Sequence, residues 1–418
     1  MEVIIDQKHL LKAFSVIKKS SAFCKMEGEE EIPMLIEAKD NTLSFTVSNV
    51  AFWSKTNLDK KSYEGDDDLS DQFTIKNEGK IYIDGSNFVN LISTYPEQSI
   101  LTISIKKENE GQHLMVETIK IGKQGRTKKS GFISMKKPAF FEEEPLDEKR
   151  KKITVETKIL CEAVNAVESI TSSEEMLKYL WGVKVEIFGK EDIAACASNK
   201  MKICWYDENF TSRDGSKKPL SVCPIKSGLV SVTKSLDKNE ETEVEIGEKY
   251  TVFKQLHQHH AVPNAIQSGS DKMPDWRSLT EKMDTECRTM IKVPKDDLIN
   301  CVKSSNLATG GRFGIRINFD TNKKEMGFSL NSVGDDTVIK SYHNETEPLE
   351  DNQISGDPID DSLVITIDDL KDILNKFPSE MVTFKIKDTK SAIQITDEKQ
   401  HFRFITSLVR SAVCQMAS

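Results

Sequence analysis

Read for its alternation of apolar and polar positions, the chain opens with MEVIIDQKHLLKAFSVIKKSS: a short β-like run, a polar break, then apolar residues at helical spacing. Alternation over four to eight residues signals a half-buried strand, whereas recurrence at i, i+4, i+7 signals an amphipathic helix. Leu10, Phe14 and Ile17 have the helical spacing and are expected to face a sheet. The same order returns in KIYIDGSNFVNLISTYPEQ from Lys80, KITVETKILCEAVNAVESI from Lys152 and PLSVCPIKSGLVSVTKSLDK from Pro219. It returns again in RTMIKVPKDDLINCVKSSN from Arg288 and SLVITIDDLKDILNKFPSE from Ser362. The starts lie roughly 70 to 80 residues apart, the fixed period of a repeat architecture. Alternating segments such as NTLSFTVSNVAFWSKT and MVTFKIKDTKSAIQITD follow the helices and read as strands.

The pattern predicts an α+β protein of six β-α-β-β-β modules. One module cannot bury both its helix and its sheet face, so modules are expected to pair into domains of about 130 residues. Charge runs interrupt the periodicity at EEEPLDEKRKK and LTEKMDTECR. The expected domains are therefore residues 1–147, 148–282 and 283–418.

Composition narrows the function. Of the 418 residues, 37% are hydrophobic and 30% charged, which describes a folded, hydrophilic chain. No apolar run approaches the ~18 residues of a membrane span, and the first residues read as a strand, so neither a membrane segment nor a secretory signal is expected. Eight cysteines without a CxxC pair suggest reduced thiols in a cytoplasm-like compartment. The net charge of −9 argues against a surface coated in nucleic-acid-binding charge but leaves room for a local basic face. The first helix carries Lys8, Lys12, Ser15 and Lys19 opposite its apolar stripe, with no acid. In the fourth, Ile225, Leu229, Val232 and Leu236 form the stripe, and Lys226, Lys234 and Lys238 lie outside it. The fifth and sixth offer Lys295, Lys303, Lys371 and Lys376 diluted by aspartates; the third offers Lys158 beside Glu162, and the second is neutral. Acidic clusters sit elsewhere, at Gly28, Glu64 and Glu142.

In its order of segments the chain resembles the bacterial replicative sliding clamp, the β subunit of the DNA polymerase holoenzyme. MEVIIDQKHLLKAFSVI, EIPMLIEAKDNTLSFTVSN, GSNFVNLISTYPEQSILTI, YLWGVKVEI, ACASNKMKICWYD and MPDWRSL carry the likeness, in order, over essentially the whole chain. The resemblance implies three clamp domains per protomer, a head-to-tail homodimer, twelve helices around a channel and sheets outside. Twelve helices about 9 Å apart enclose a circle roughly 35 Å across, leaving about 25 Å once side chains are subtracted, enough for a B-form duplex. It implies no catalysis, no cofactor and no metal. The partners implied are double-stranded DNA held without base readout, a DNA polymerase and a clamp loader bound through short peptides, and a second copy of the chain.

Residue by residue, the duplex-facing set is Lys8, Lys12, Lys19, Lys25, Lys226 and Lys234, with Lys178 and Tyr179 in a DNA-touching loop. Phe132, Ser134 and Leu307 fall at the subunit contact, where Ser134 replaces an apolar residue. The partner-peptide pocket maps to Leu180, Ser198, Met201, Lys202, Ile203, Pro274, Arg277, Leu279, Ile405 and Leu408. The family's Gly-His-Arg loop is here Lys200-Met201-Lys202, and its Met-Pro-Met-Arg-Leu ending is TSLVR followed by SAVCQMAS.

Two rival readings are weighed against the clamp. His257, His259 and His260 in HQHHAV could ligate a metal of a hydrolase, but they lack a neighbouring cysteine or a HExxH helix and are expected to be a polar loop insertion. A solitary DNA-binding scaffold of the same fold, without a ring, is the other. The acidic stretch HNETEPLEDNQISGDPIDD from His343 reads as a surface loop. No phosphate-binding glycine loop and no GxSxG elbow is present.

Overall fold

The computed structural model describes residues 1–19, 31–49, 52–60, 73–96, 99–108, 111–120, 128–141, 145, 147, 149–210, 212, 218–267, 272–309, 314–320, 322, 324–330, 342–345, 353–358, 360–388 and 391–407. Six successive β-α-β-β-β modules account for most elements. The first comprises β1 (Glu2–Asp6), α1 (Gln7–Lys19), β2 (Pro33–Lys39), β3 (Thr42–Asn49) and β4 (Phe52–Leu58). An added strand, β5 (Thr74–Asn77), precedes the second: β6 (Gly79–Asp84), α2 (Gly85–Ser93), β7 (Ile100–Glu108), β8 (Gly111–Lys120) and β9 (Lys129–Ile133). The third is β10 (Lys151–Glu156), α3 (Thr157–Val167), β11 (Lys184–Gly189), β12 (Asp192–Ser198) and β13 (Lys202–Asp207), with short 3-10 turns at Glu168–Ile170 and Glu175–Leu180. The fourth is β14 (Leu220–Val222), α4 (Lys226–Ser235), β15 (Glu241–Ile246), β16 (Tyr250–Gln255) and β17 (Gln258–Pro263). A further helix, α5 (Trp276–Glu286), intervenes before β18 (Thr289–Pro294), α6 (Lys295–Thr309), β19 (Gly314–Asp320), β20 (Glu325–Leu330) and β21 (Tyr342–Glu345). After β22 (Ile354–Gly356) comes the sixth: β23 (Asp360–Thr366), α7 (Ile367–Leu374), β24 (Met381–Ile386), β25 (Ile393–Asp397) and β26 (Phe402–Thr406).

The sheet pairing explains why the modules come in twos. In each consecutive pair the first strands are exchanged. β1 joins β7 while β6 joins β2; β10 joins β15 while β14 joins β11; β18 joins β24 while β23 joins β19. A strand lent to a neighbour leaves neither module with a complete sheet of its own, which is the physical content of the pairing expected from sequence. Two further joins link pairs through last strands, both antiparallel: β17 to β4 and β13 to β26. The sheets then read β5-β1-β7-β8-β9, β10-β15-β16-β17-β4-β3-β2-β6, β14-β11-β12-β13-β26-β25-β24-β18-β22 and β21-β20-β19-β23.

By compactness the chain forms two bodies. One is Met1–Cys161 with Pro224–Asn264; the other is Glu162–Cys223 with Ala265–Ser418. The middle pair of modules is thus divided, because its halves belong to the two long sheets.

In the first body α1, α2 and α4 pack side by side. Leu10, Phe14 and Ile17 are at most 1% exposed, and Phe14 meets Phe45 and Phe88 edge to face at 5.1 and 5.6 Å. Leu229, Val232 and Leu236 are buried likewise. A helix gains most of its stability from such a buried stripe, not from propensity.

Three expectations are corrected. LTEKMDTECR, expected as a domain linker, lies largely in α5, so the boundary at 282/283 falls inside a helix. Asp275 caps it, accepting the amides of Arg277 and Ser278. HQHHAV is not a loop insertion: His259 and His260 lie on β17, with His257 in the preceding turn. His260 is wholly buried, stacks on Phe52 at 5.7 Å and hydrogen-bonds Ser54 Oγ at 3.0 Å and Gln258 Oε1 at 3.1 Å. Burial, and secondarily His259, hold its imidazole down to about 3, so it is neutral packing. The acidic stretch from His343 begins in β21, contains β22 and ends in the first residues of β23.

Candidate nucleic-acid interface and partner groove

On α1, Lys8, Lys12, Ser15, Lys18 and Lys19 are exposed, and the helix QKHLLKAFSVIKK carries no acid. Its last turn is doubly basic, where cations meet the negative end of the helix dipole. On the adjacent α4, Lys234 is exposed and Lys226 half-buried. Two neighbouring helices therefore both carry cations outside their buried stripes. Lysines of this kind are hydrated point charges suited to loose, sequence-independent phosphate contact. Lys25 lies outside the described residues.

Other lysines are committed elsewhere. Lys295 Nζ donates to the Phe377 carbonyl at 3.1 Å, and Lys376 donates to the Asn165 carbonyl at 2.6 Å beside Glu168. These two fasten the fold, while Lys303 and Lys371 are exposed. In the second body, Lys178 and Tyr179 lie on the turn Glu175–Leu180; Lys178 Nζ sits 5.5 Å over the Trp181 ring, and the Tyr179 carbonyl accepts Gln267 Nε2 at 2.7 Å.

The candidate partner site falls in the second body, on the sheet face that α5 covers. Trp205 of β13 packs on Trp276 of α5, ring centroids 5.6 Å apart. Side chains two positions along a strand share a face, so Ile203 lies on the same side as Trp205. Cross-strand pairing sets Ser198, Ile203 and Ile405 in one row over β12, β13 and β26. The three are at most 8% exposed, whereas Leu279 of α5 is 37% exposed. At the hairpin tip Met201 is 60% exposed, Lys200 is exposed at φ +78°, and Lys202 is half-buried. The Met201 carbonyl accepts the Ser407 amide at 3.3 Å, tying the tip to the end of β26. Leu180 is buried and Pro274 half-buried; Leu408 lies outside the described residues.

Arg277 is not part of that row. Its guanidinium pairs with Glu186, lies 3.7 Å from Asp207 and stacks on Trp276 at 4.0 Å. Asp207 is four residues along β13 from Ile203, about 13 Å at the strand rise. The arginine thus anchors the far side of α5.

At the terminal strand β9, Phe132 turns toward α2 and meets Phe88 at 5.6 Å, whereas its neighbour Ile133 is 69% exposed. Ser134 follows, its amide donating to the Gln112 carbonyl at 2.9 Å. Leu307 falls on α6. Sequence reading overlooks Ile133, although strict alternation after Phe132 marks it as the outward residue.

Among the described residues no group of three metal-ligating side chains comes together, and no helix is long and apolar enough to cross a membrane. Cys161, Cys196, Cys204 and Cys223 are buried free thiols, and burial pushes Cys223 up to about 12.

No family model matches this sequence, and no curated protein matches it. Solved structures do. A DNA polymerase III subunit beta from Pseudomonas aeruginosa superposes with a TM-score of 0.77 at 12% identity, covering 98% of this chain and 100% of that one. The DnaN sliding clamp of the same organism, bound to griselimycin, gives 0.75 at 13% over 98% and 99%. The beta subunit from DNA polymerase of Streptococcus pyogenes gives 0.75 at 15% over 98% and 100%. The architecture is the DNA-clamp fold. The chain has, over nearly its whole length, the fold of the bacterial DNA polymerase III beta subunits that its sequence resembles.

Proposed function

We propose that the protein is a DNA sliding clamp, a processivity factor that encircles duplex DNA as a head-to-tail homodimer and tethers a polymerase. The observation that carries this reading is the arithmetic of last strands. Of six modules, four spend theirs on the joins β4 with β17 and β13 with β26. The remaining two, β9 and β21, end their sheets. A further join of the same kind between β9 of one copy and β21 of another continues the sheet, and two such joins close a ring. The three domains proposed are the three consecutive pairs of modules, with α5 in the junction between the second and the third.

Charge supports the same join. Residues 120–137, around β9, hold Lys120, Lys123, Arg126, Lys128, Lys129, Lys136 and Lys137 and no acid. Residues 335–351, around β21, hold Asp335, Asp336, Glu345, Glu347, Glu350 and Asp351 against Lys340 alone. Segments of opposite charge in sequence around the two strands favour a heterologous contact over self-pairing of like segments.

In this reading Lys8, Lys12, Lys19, Lys25, Lys226, Lys234 and the Lys178–Tyr179 turn meet the duplex. Linkage is topological, so the ring slides without base recognition. The row Ser198, Ile203 and Ile405, with Met201 and Leu279, receives an extended peptide of the polymerase or loader through apolar anchors. No step requires a nucleophile, cofactor or metal, and the protein acts in the cytoplasm at the replication fork. The test is retention on DNA after loading: the protein stays on nicked circles and leaves when they are linearised. Equal retention on both forms contradicts the proposal.

A further inference from the structure

Helix α5 lies across the line where the third and sixth modules meet, the β13–β26 seam. Its first turn is fixed to the third module: Trp276, 1% exposed, packs on Trp205 of β13, and Arg277 pairs with Glu186 of β11. Its last turns are fixed to the sixth module, on the other side. Asp284 accepts Arg403 Nη1 of β26 at 2.9 Å and Lys385 Nζ of β24 at 2.7 Å, and Glu286 accepts Lys387 Nζ at 3.0 Å. Eleven helical residues span about 16 Å at 1.5 Å each. From β13 over β26 and β25 to β24 is three strand spacings, about 14 Å. The helix is therefore long enough to bridge the seam and little more.

The anchors are not ordinary surface pairs. Arg403 is 1% exposed and Lys385 7%. Burial raises the Asp284 carboxyl, yet hydrogen bonds from Lys385 and Arg403 outweigh it and hold the group below its usual range. Removing the acid would leave two nearly buried cations with the neutral Gln400 as a shared partner and no counter-charge from α5, the costly kind of truncation.

We infer that α5 is a strap that locks the β13–β26 seam against opening. The seam's own ladder is five residue pairs long, from Lys202 with Thr406 to Tyr206 with Phe402. The strap adds attachments on both sides of it, so the two modules separate only if α5 detaches from one side. Because Ile203 and Ile405 are seam residues, the strap also fixes the row proposed to receive a partner peptide.

Amide hydrogen exchange read by mass spectrometry on the full chain, without DNA, tests this independently of the clamp reading. In Asp284→Ala, peptides covering β13 and β26 should exchange at least ~10-fold faster than in the unsubstituted chain, since local opening free energy sets exchange. Peptides covering β4 and β17 should be unchanged. Glu281→Gly, at an exposed α5 position, should accelerate the same strands to a smaller degree by weakening the helix. Unchanged exchange at β13 and β26 in both variants, or an equal acceleration throughout the chain, overturns the strap.

Discussion

Trp205 on β13 and Trp276 at the start of α5 stack with ring centroids 5.6 Å apart and planes tilted by 31°. This contact joins a strand of the repeat to a helix that the repeat does not contain. It places α5 beside the row Ser198, Ile203 and Ile405. The proposed partner site thus draws on both the repeating and the non-repeating parts of the chain.

The proposed partner site is testable at the hairpin tip. Met201 is 60% exposed, so Met201→Glu should leave thermal stability unchanged. It should weaken binding of a fluorescent peptide from the cognate polymerase about tenfold, the scale of losing one apolar anchor. Anisotropy titration reads this directly. Unchanged affinity would remove the hairpin tip from the site.

The cationic face of α1 is testable by charge reversal. Lys12→Glu together with Lys19→Glu alters two exposed positions and should not disturb the buried stripe. Retention on nicked circles should fall. The slope of log affinity against log salt should become shallower by about 0.9 for each phosphate that is no longer neutralised. Retention identical to that of the unsubstituted chain would place both residues away from the duplex.

His260 gives a pH dependence of stability. Its imidazole is held at about 3 in the folded chain against a reference of 6.5. The unfolded chain therefore binds a proton that the folded chain refuses. This contribution is complete above about pH 6.5 and is lost as pH falls toward 3, at up to about 1.4 kcal/mol per unit. Urea unfolding at pH 7 and pH 5 should show a larger loss for the unsubstituted chain than for His260→Gln. Parallel losses in both would show that this histidine titrates in the open.

Much of the fold is legible in the sequence because the repeat obeys simple periods. Leu10, Phe14 and Ile17 at i, i+4, i+7 are buried, and Lys8, Lys12, Ser15 and Lys19 are exposed, as the helical spacing requires. The hidden parts are those whose partners are distant in sequence. α5 is masked by its charge: Asp284 and Glu286 look like solvated linker residues until Arg403, Lys385 and Lys387, about a hundred positions later, are brought beside them. A local signal exists, in Asp275 as cap and in Trp276 and Thr280 on one helical face. His260 is hard to place for the same reason. Its partners Ser54 and Phe52 stand some two hundred residues earlier, across the join of β17 with β4. Arg277 falls at a pocket position by resemblance, but its acidic partners Glu186 and Asp207 fix it at the other side of α5.

The proposed subunit contact rests on β9. Ile133 is 69% exposed there beside a run of cations. Ile133→Glu places an acid on the edge proposed to meet the acidic β21 segment, and it should raise the dissociation constant of the homodimer by at least about tenfold. Sedimentation at several salt concentrations should also show weaker association as salt rises, since screening acts on exposed opposite charges. A substitution without effect would move the subunit interface away from β9.

The most direct check of ring closure is the molar mass of the purified chain in solution, by light scattering at micromolar concentration and physiological salt. Closure as a homodimer requires twice the mass of one chain, falling toward a single chain for Ile133→Glu. A single-chain mass at every concentration would contradict it.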